Sequence, residues 1–354
     1  MLKVGLIGCG GMAAFYREIY QNISGVTLSY VVGATIEEAS EVATALGVEK
    51  YSMHYEDCLN SDVDIVDIST PNHLHKEQFL AAVNAGKHIL LQKPIAPNLE
   101  DAAEILRAAE STRCKTGVFM SKRCIAAHHE IKNMVKQGVI GRIASVHTRA
   151  ALIRKPQAVG TGSWRSSLAQ TGGGALIQLG IHDYDLLQWI LDDKIKEIAA
   201  FKENLMSPHI GGEDMAQTIV RFRKGVLGIV EASYCSATPF LRIYGNEGMI
   251  TYQNGELSVR GSKAYTGSHI VYETPGVEAV FEMPANHKDL YQINNPYEQH
   301  VWFIDAVKKD EKVPVEIADG FETLLLVNAA YESDCTGKAV DVEAWRRKYG
   351  LCGM

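Results

Sequence analysis

No stretch of this 354-residue chain stays apolar for the roughly 18–20 residues that a membrane-crossing helix needs. No block of like charge stands out and the formal net charge is −7, so neither nucleic acid nor a membrane surface is indicated as a partner. The seven cysteines, Cys9, Cys58, Cys114, Cys124, Cys235, Cys335 and Cys352, are scattered, odd in number and contain no C-x-x-C pair. Neither a disulfide framework nor a zinc site is indicated, no metal is expected, and the chain reads as a reduced, cytoplasmic protein. There is no internal repeat and no low-complexity linker. The chain opens directly on a strand pattern, so no secretory leader is expected.

What is present is ordinary globular material, 46% apolar and 22% charged, in a length that favours two domains over one. Strands and helices alternate through the first third. After the strand Val4–Ile7 and a helix over residues 14–24, strands are expected at Val26–Val32, Val63–Ser69, His88–Leu91 and Lys115–Met120. Helices are expected at Ile36–Leu46, Lys76–Ala85 and Leu99–Ser111. Strands one helical crossover apart predict an α/β fold with a doubly wound parallel sheet. Beyond residue 122 the texture changes. Val226–Ser233, Phe240–Tyr244, Met249–Gln253 and Glu256–Val259 read as short strands with N-E-G and Q-N-G turns, an antiparallel pattern. Two helical segments, Pro296–Lys308 and Ala318–Cys335, come near the end. The expected division is 1–122 and 123–354.

The stretch Lys3–Ala13 carries the most specific signal. An apolar run breaks into G-x-G-x-x-A at Gly8, Gly10 and Ala13, the fingerprint of a dinucleotide-binding first turn. Gly8 permits the tight turn, Gly10 lets a pyrophosphate approach the backbone, and Ala13 lets the helix pack closely. The pyrophosphate is expected over Gly8–Met12, where free N–H groups and the helix dipole favour an anion.

In an open parallel sheet, ligands lie beyond the carboxyl ends of the strands. Two such ends are unusual: Thr70-Pro71-Asn72-His73-Leu74-His75 after the third expected strand, and Gln92-Lys93-Pro94 after the fourth. Lys93 is expected to point into the cofactor crevice, where an ammonium holds a developing alkoxide; a solvated surface lysine is the alternative. In the second region three glycines, Gly172–Gly174, open a helix whose apolar face includes Ala175, Leu179, Leu186 and Ile190. Gln178 and His182 lie four residues apart on one face. The glycines are read as allowing close approach, and His182 as a working group rather than a satisfied core histidine.

With these pieces in hand the chain resembles the glucose–fructose oxidoreductase/inositol dehydrogenase (Gfo/Idh/MocA) family over nearly its whole length. The matching motifs are G-C-G-G-M-A at 8–13, T-P-N-H-L-H at 70–75, A-G-K-H-I-L-L-Q-K-P at 85–94, W-R at 164–165, G-G-G-A-L-I-Q-L-G-I-H at 172–182 and Y-E-S-D-C-T-G-K-A-V at 331–340. The resemblance implies an N-terminal Rossmann domain and a C-terminal α/β domain on a large, open, mainly antiparallel sheet. That sheet implies a homodimer or homotetramer. It also implies NAD(P)-dependent hydride transfer between nicotinamide C4 and a secondary alcohol or ketone of a sugar, cyclitol or glycoside.

Residue by residue, the resemblance makes Lys93 and His182 catalytic. Gln92 and Gln178 stand where the family's pattern has acids. The expected cofactor contacts are Gly8, Gly10, Gly11, Met12, Thr35, Thr70, Pro71, Asn72, His75, Gln92, Lys93, Trp164 and Arg165. The expected substrate contacts are Lys93, Arg123, Arg154, Gln178 and His182. An amide at 178 stabilises an imidazolium less than a carboxylate does, so His182 is easier to hold neutral as a base. The cofactor is NAD or NADP. The place after the second strand, Val32–Thr35, has no acid for a ribose 2′-hydroxyl, which favours tolerance of a 2′-phosphate with Thr35 as a contact, while Glu37 and Glu38 are read as helix caps. Two rivals are a glycosidase that uses NAD transiently to oxidise C3 and permit elimination, and a non-catalytic nucleotide-sensing homologue.

Overall fold

The computed structural model describes residues 1–11, 16, 19–153, 163–261, 278–281 and 297–351. The chain divides into two units. The first comprises Met1–Met120, Ala169–Gly172 and Pro296–Glu322; the second comprises Ser121–Leu168, Gly173–Asn295 and Thr323–Met354. The chain therefore returns to the first unit twice after residue 122.

Among the described residues the first unit holds six strands: β1 (Leu2–Ile7), β2 (Val26–Val32), β3 (Lys50–Ser52), β4 (Ile65–Ile68), β5 (His88–Leu91) and β6 (Thr116–Val118). Their order is β3-β2-β1-β4-β5-β6 and every pair is parallel, the doubly wound order of dinucleotide-binding sheets. The central strands are continuous apolar runs because both sheet faces are covered; Val4, Leu6, Ile7, Ile65, Val66 and Ile68 are buried. The helices begin and end where the caps allow. Thr35 accepts from the Glu38 N–H to start Ile36–Leu46, which stops at left-handed Gly47. Asn98 does the same for Leu99–Ser111 through the Asp101 N–H. In the expected first helix, the described residues Tyr16 and 19–21 are helical. The edge strand β3 and the helix Tyr55–Leu59 carry too few residues for a legible period. The strand ending before Thr70 is consequently the fourth, and the one ending before Gln92 the fifth.

The helix Tyr297–Lys309 belongs to this unit and lays Phe303, Ile304 and Ala306 into its core with Val4, Leu6 and Leu90. It also brings His300 to Asp67, a buried carboxylate in the middle of β4. Asp67 accepts from Tyr16 (3.2 Å), Tyr20 (2.7 Å) and lies 2.8 Å from His300 Nε2. A carboxylate inside a sheet survives only with such partners.

The second unit holds β7 (Ile143–Ala151), β8 (Ile195–Glu203), β9 (Met215–Phe222), β10 (Leu227–Ser233), β11 (Phe240–Gly245), β12 (Gly248–Gln253), β13 (Glu256–Gly261), β14 (Glu278–Phe281) and β15 (Val340–Asp341). Among the described residues they form one nine-stranded sheet, ordered β14-β13-β12-β11-β7-β10-β9-β8-β15. Only β7 and β10 pair in parallel, so the sheet is mainly antiparallel. The Q-N-G turn is a two-residue hairpin with Asn254 at φ 53° and Gly255 at φ 82°, as a primed turn requires. The strands β7, β8 and β9 and the helices Ala126–Gln137 and Val342–Lys348 were not anticipated from the sequence. No described helix is long and apolar enough to cross a membrane.

Candidate active site

At the carboxyl end of β1 the chain turns at Gly8, whose φ of +118° favours glycine. A Cβ there would lie 2.8–3.0 Å from the backbone of Ser69 and Thr70, so Gly8 lets β1 and β4 end side by side. Gly10 and Gly11 differ. Among the described residues, a Cβ on either would meet no atom within 4 Å. No described residue demands glycine at these two positions. Met12 and Ala13 lie outside the described residues, as does Arg154.

Beyond β2, Thr35 is spent as the cap described above. Glu38 folds back from the first turn of its helix, and its carboxylate accepts the Ala34 N–H at 2.8 Å. The strand end that looked free of acid is thus supplied with a carboxylate from Glu38. Sequence position alone put that group one turn too far along.

Beyond β4 and β5 the two unusual stretches meet. Thr70 donates its hydroxyl to Gln78 Oε1 at 2.6 Å, and Pro71 is half-buried. Asn72 and His75, expected at the cofactor, are buried instead, 3% and 0% exposed. Asn72 donates to the Thr171 carbonyl at 2.8 Å. The His75 ring lies between two carbonyls, with Nδ1 2.9 Å from Pro94 O and Nε2 2.9 Å from Thr70 O. Burial pushes the His75 pKa down to about 4, so at neutral pH its single ring proton serves one of these carbonyls at a time. Gln92 turns its Oε1 onto the Lys93 N–H at 3.2 Å. Lys93 is half-buried and precedes a cis proline.

In the second unit His182 opens the helix Ile181–Leu191 and is 9% exposed. The residues before it, Leu176–Gly180, form a π-turn in which the Ile181 N–H reaches back to Leu176 O. The spacing from Gln178 to His182 therefore runs through a π-turn rather than a plain α-helix; such turns recur at functional sites. The expected single apolar face is also too narrow, since every residue from 181 to 188 is buried while Leu179 is half-exposed.

The glycines ahead of this helix are filled by protein. A Cβ on Gly172 would lie 2.1 Å from Pro97 O, on Gly173 2.0 Å from the Tyr331 hydroxyl, and on Gly174 1.8 Å from Glu213 O. Glu213, buried, accepts the Gly174 N–H (3.0 Å), the Leu176 N–H (2.8 Å) and the Tyr331 hydroxyl (3.0 Å). These satisfy N–H groups that a helix start leaves over. The close approach that these glycines allow is made by Pro97, Glu213 and Tyr331.

Arg123, expected at the substrate, forks onto Asp185, with Nε 2.8 Å from Oδ2. Lys122 pairs with Asp183, which is 2% exposed. Burial pushes the Asp183 carboxyl up while Lys122 pulls it down. These two pairs fix the turn that carries His182. Trp164 and Arg165 sit on a short 3₁₀ turn, the guanidinium stacked 4.4 Å from the indole centroid. Neither Asp183 nor Asp185 was weighed from the sequence, although their place beside His182 was the available signal.

Residues 2–120 match the oxidoreductase family's NAD-binding Rossmann fold, and residues 132–342 match the same family's C-terminal alpha/beta domain. The chain belongs to the Gfo/Idh/MocA oxidoreductase family. Among its relatives is 1,5-anhydro-D-fructose reductase of Ensifer adhaerens, 27% identical over 353 residues, covering 97% of this chain and 99% of the relative. Myo-inositol 2-dehydrogenase of Thermotoga maritima is 26% identical over 351 residues, covering 97% and 99%. A levoglucosan dehydrogenase solved with NADH superposes with a TM-score of 0.83 at 25% identity, covering 96% of this chain and 99% of that one. As a Gfo/Idh/MocA protein the chain is an NAD(P)-dependent oxidoreductase with an NAD-binding Rossmann unit. The local structure fits that cofactor: Gly8 makes the turn, and the open backbone at Gly10 and Gly11 is where a pyrophosphate would be held.

Proposed function

We propose that the enzyme interconverts a secondary alcohol and the matching ketone of a sugar, cyclitol or glycoside, with Lys93 and His182 acting on the same oxygen. The observation that carries this reading is the open backbone at Gly10–Gly11 and the half-buried Lys93, both leaving the carboxyl edge of one parallel sheet. The bound nicotinamide supplies the hydride acceptor or donor at C4. In the oxidative direction His182, uncharged, takes the hydroxyl proton, and the Lys93 ammonium donates a hydrogen bond to the oxygen as it gains negative charge. In reduction the same groups run in reverse. In this reading the remaining expected contacts serve the cofactor and the substrate. Thr70, Pro71 and Gln92 line the strand ends, Trp164 and Arg165 serve the cofactor, and Gln178 and Arg154 serve the substrate. Named relatives acting as dehydrogenases and reductases support this reading over a cofactor-recycling glycosidase or a sensor.

Glu38 supports NAD over NADP, because a carboxylate at the end of β2 suits a ribose 2′-hydroxyl and repels a 2′-phosphate. The open sheet face supports a homodimer or homotetramer: Phe201, Ile219, Leu227 and Ile229 are exposed on neighbouring strands, with Ile219 directly across from Ile229. The free thiols of the described cysteines support a cytoplasmic location.

The test is a panel of sugars, inositols and glycosides with NAD+ and NADP+, read as NAD(P)H absorbance, on the wild type, Lys93→Ala and His182→Ala. Lys93→Ala should lower kcat by about 10²-fold, the scale for losing one transition-state donor. A near-wild-type rate in both variants would refute the assignment.

A further inference from the structure

Three loops of the first unit close on one another. His75 joins the loop after β4 to the loop after β5 through Thr70 O and Pro94 O, each 2.9 Å from a ring nitrogen. Asn72, in the same loop, donates to Thr171 O at 2.8 Å. Gly172, the next residue, is pressed against Pro97: its φ is +80°, and a Cβ would lie 2.1 Å from Pro97 O. Residues 70–75, 92–97 and 169–172 thus meet pairwise, two of the meetings through a side-chain nitrogen on a backbone carbonyl and the third through close packing. Asn72 and His75 are buried. The Asn72 amide donates to a carbonyl of the 169–172 loop, and the His75 ring lies between one carbonyl of its own loop and one of the 92–97 loop.

We infer that Asn72 and His75 are positioning residues: they lock the three loops into one support that holds Lys93 in place, rather than contacting the cofactor. The inference rests on Lys93 acting at the substrate oxygen, as proposed above. A carbonyl that loses its buried donor must find another or let its loop shift. The Lys93 ammonium sits at the end of a flexible stem, so its placement depends on the backbone beneath it. A misplacement of about 1 Å in a reacting group costs about 10²-fold in rate.

The experiment compares the wild type with His75→Ala, His75→Gln and Asn72→Ala in the full chain, each checked for folding by circular dichroism. Three quantities are read: the NADH Kd by fluorescence titration, kcat and KM for the best substrate, and the labelling rate of Lys93 with an amine-reactive reagent followed by mass spectrometry. The expected result is a kcat reduced by about tenfold or more at saturating cofactor, an NADH Kd within about twofold of wild type, and faster labelling of Lys93. His75→Gln, which keeps one donor, should recover part of the loss, and it carries the test should His75→Ala fail to fold. An NADH Kd raised about tenfold with unchanged Lys93 labelling would return both residues to the cofactor and overturn the inference. So would all three readouts staying at wild-type values. Labelling and NADH binding need no substrate, so a failure of the sugar oxidoreductase reading would show as inactivity of the wild type while the positioning role is still decided.

Discussion

The chain carries two glycine runs that look alike as text, Gly8–Gly11 and Gly172–Gly174. The structure gives them opposite physical reasons. At Gly10 and Gly11 a methyl group would meet none of the described residues. At Gly172–Gly174 it would enter Pro97, Tyr331 and the backbone of Glu213 at about 2 Å. The first run leaves room for a ligand. The second has already given its room to the protein, and a buried carboxylate, Glu213, occupies the helix start that an outside anion would otherwise find. A glycine run therefore signals close approach without saying by what; the neighbours decide.

Substitution is the sharpest way to break this contrast. Gly174→Ala places a Cβ 1.8 Å from Glu213 O and 2.5 Å from Glu213 N, both backbone atoms that cannot rotate away. It should cost about 3 kcal/mol or more of stability in denaturant titration. A Gly174→Ala variant as stable as wild type would mean the second run is also open.

Low pH separates the two units through their buried histidines. Burial lowers His75 of the first unit to about 4 and His128 of the second, its Nδ1 2.7 Å from Lys122 O, to about 3, from 6.5 for both. The unfolded state binds the extra proton first. Their contribution is complete above about pH 6.5 and is lost as pH falls through that window, on the order of 3 kcal/mol for His75. Unfolding titrations at pH 7 and pH 4.5 should show a smaller acid-induced loss in His75→Gln than in wild type. Equal losses would mean that His75 titrates normally.

Gly10→Val should leave the denaturation midpoint almost unchanged and weaken NADH by about 10²-fold, worth about 2.7 kcal/mol. Calorimetric titration reads it directly. Unchanged affinity would remove the reason for the open glycines.

The smallest effect sharpens the site itself. Gln178→Asp adds a carboxylate one π-turn before His182. An opposite charge favours the protonated ring, so the rise of kcat/KM with pH should move to higher pH by less than about one unit. A profile overlaying wild type, together with an active His182→Ala, would pass the base to Lys93.

Much of this was legible beforehand. Val26–Val32, Ile36–Leu46, His88–Leu91 and Leu99–Ser111 form where their periodicity and caps put them. What was missed was either very short, like β3, or carried no motif, like the strands β7–β9 and the helices Ala126–Gln137 and Val342–Lys348. The polar partnerships were the harder part. Arg123 reads as a free cation until Asp185, 62 residues on, takes its fork. The carbonyl partners of Asn72 and His75 could not be read from the motif that holds them.

The sequence by itself determined the parallel sheet, the turn at Gly8, the family and the candidacy of Lys93 and His182. Each of these is written within a few neighbouring residues, where backbone preference and side-chain period act. Only the tertiary structure decided what each polar group binds. Asn72 meets Thr171 across 99 residues and His300 meets Asp67 across 233. A buried polar group must be paired somewhere, but the requirement does not name the partner. That choice is made by which strand ends and helix starts the packed core brings within about 3 Å of one another.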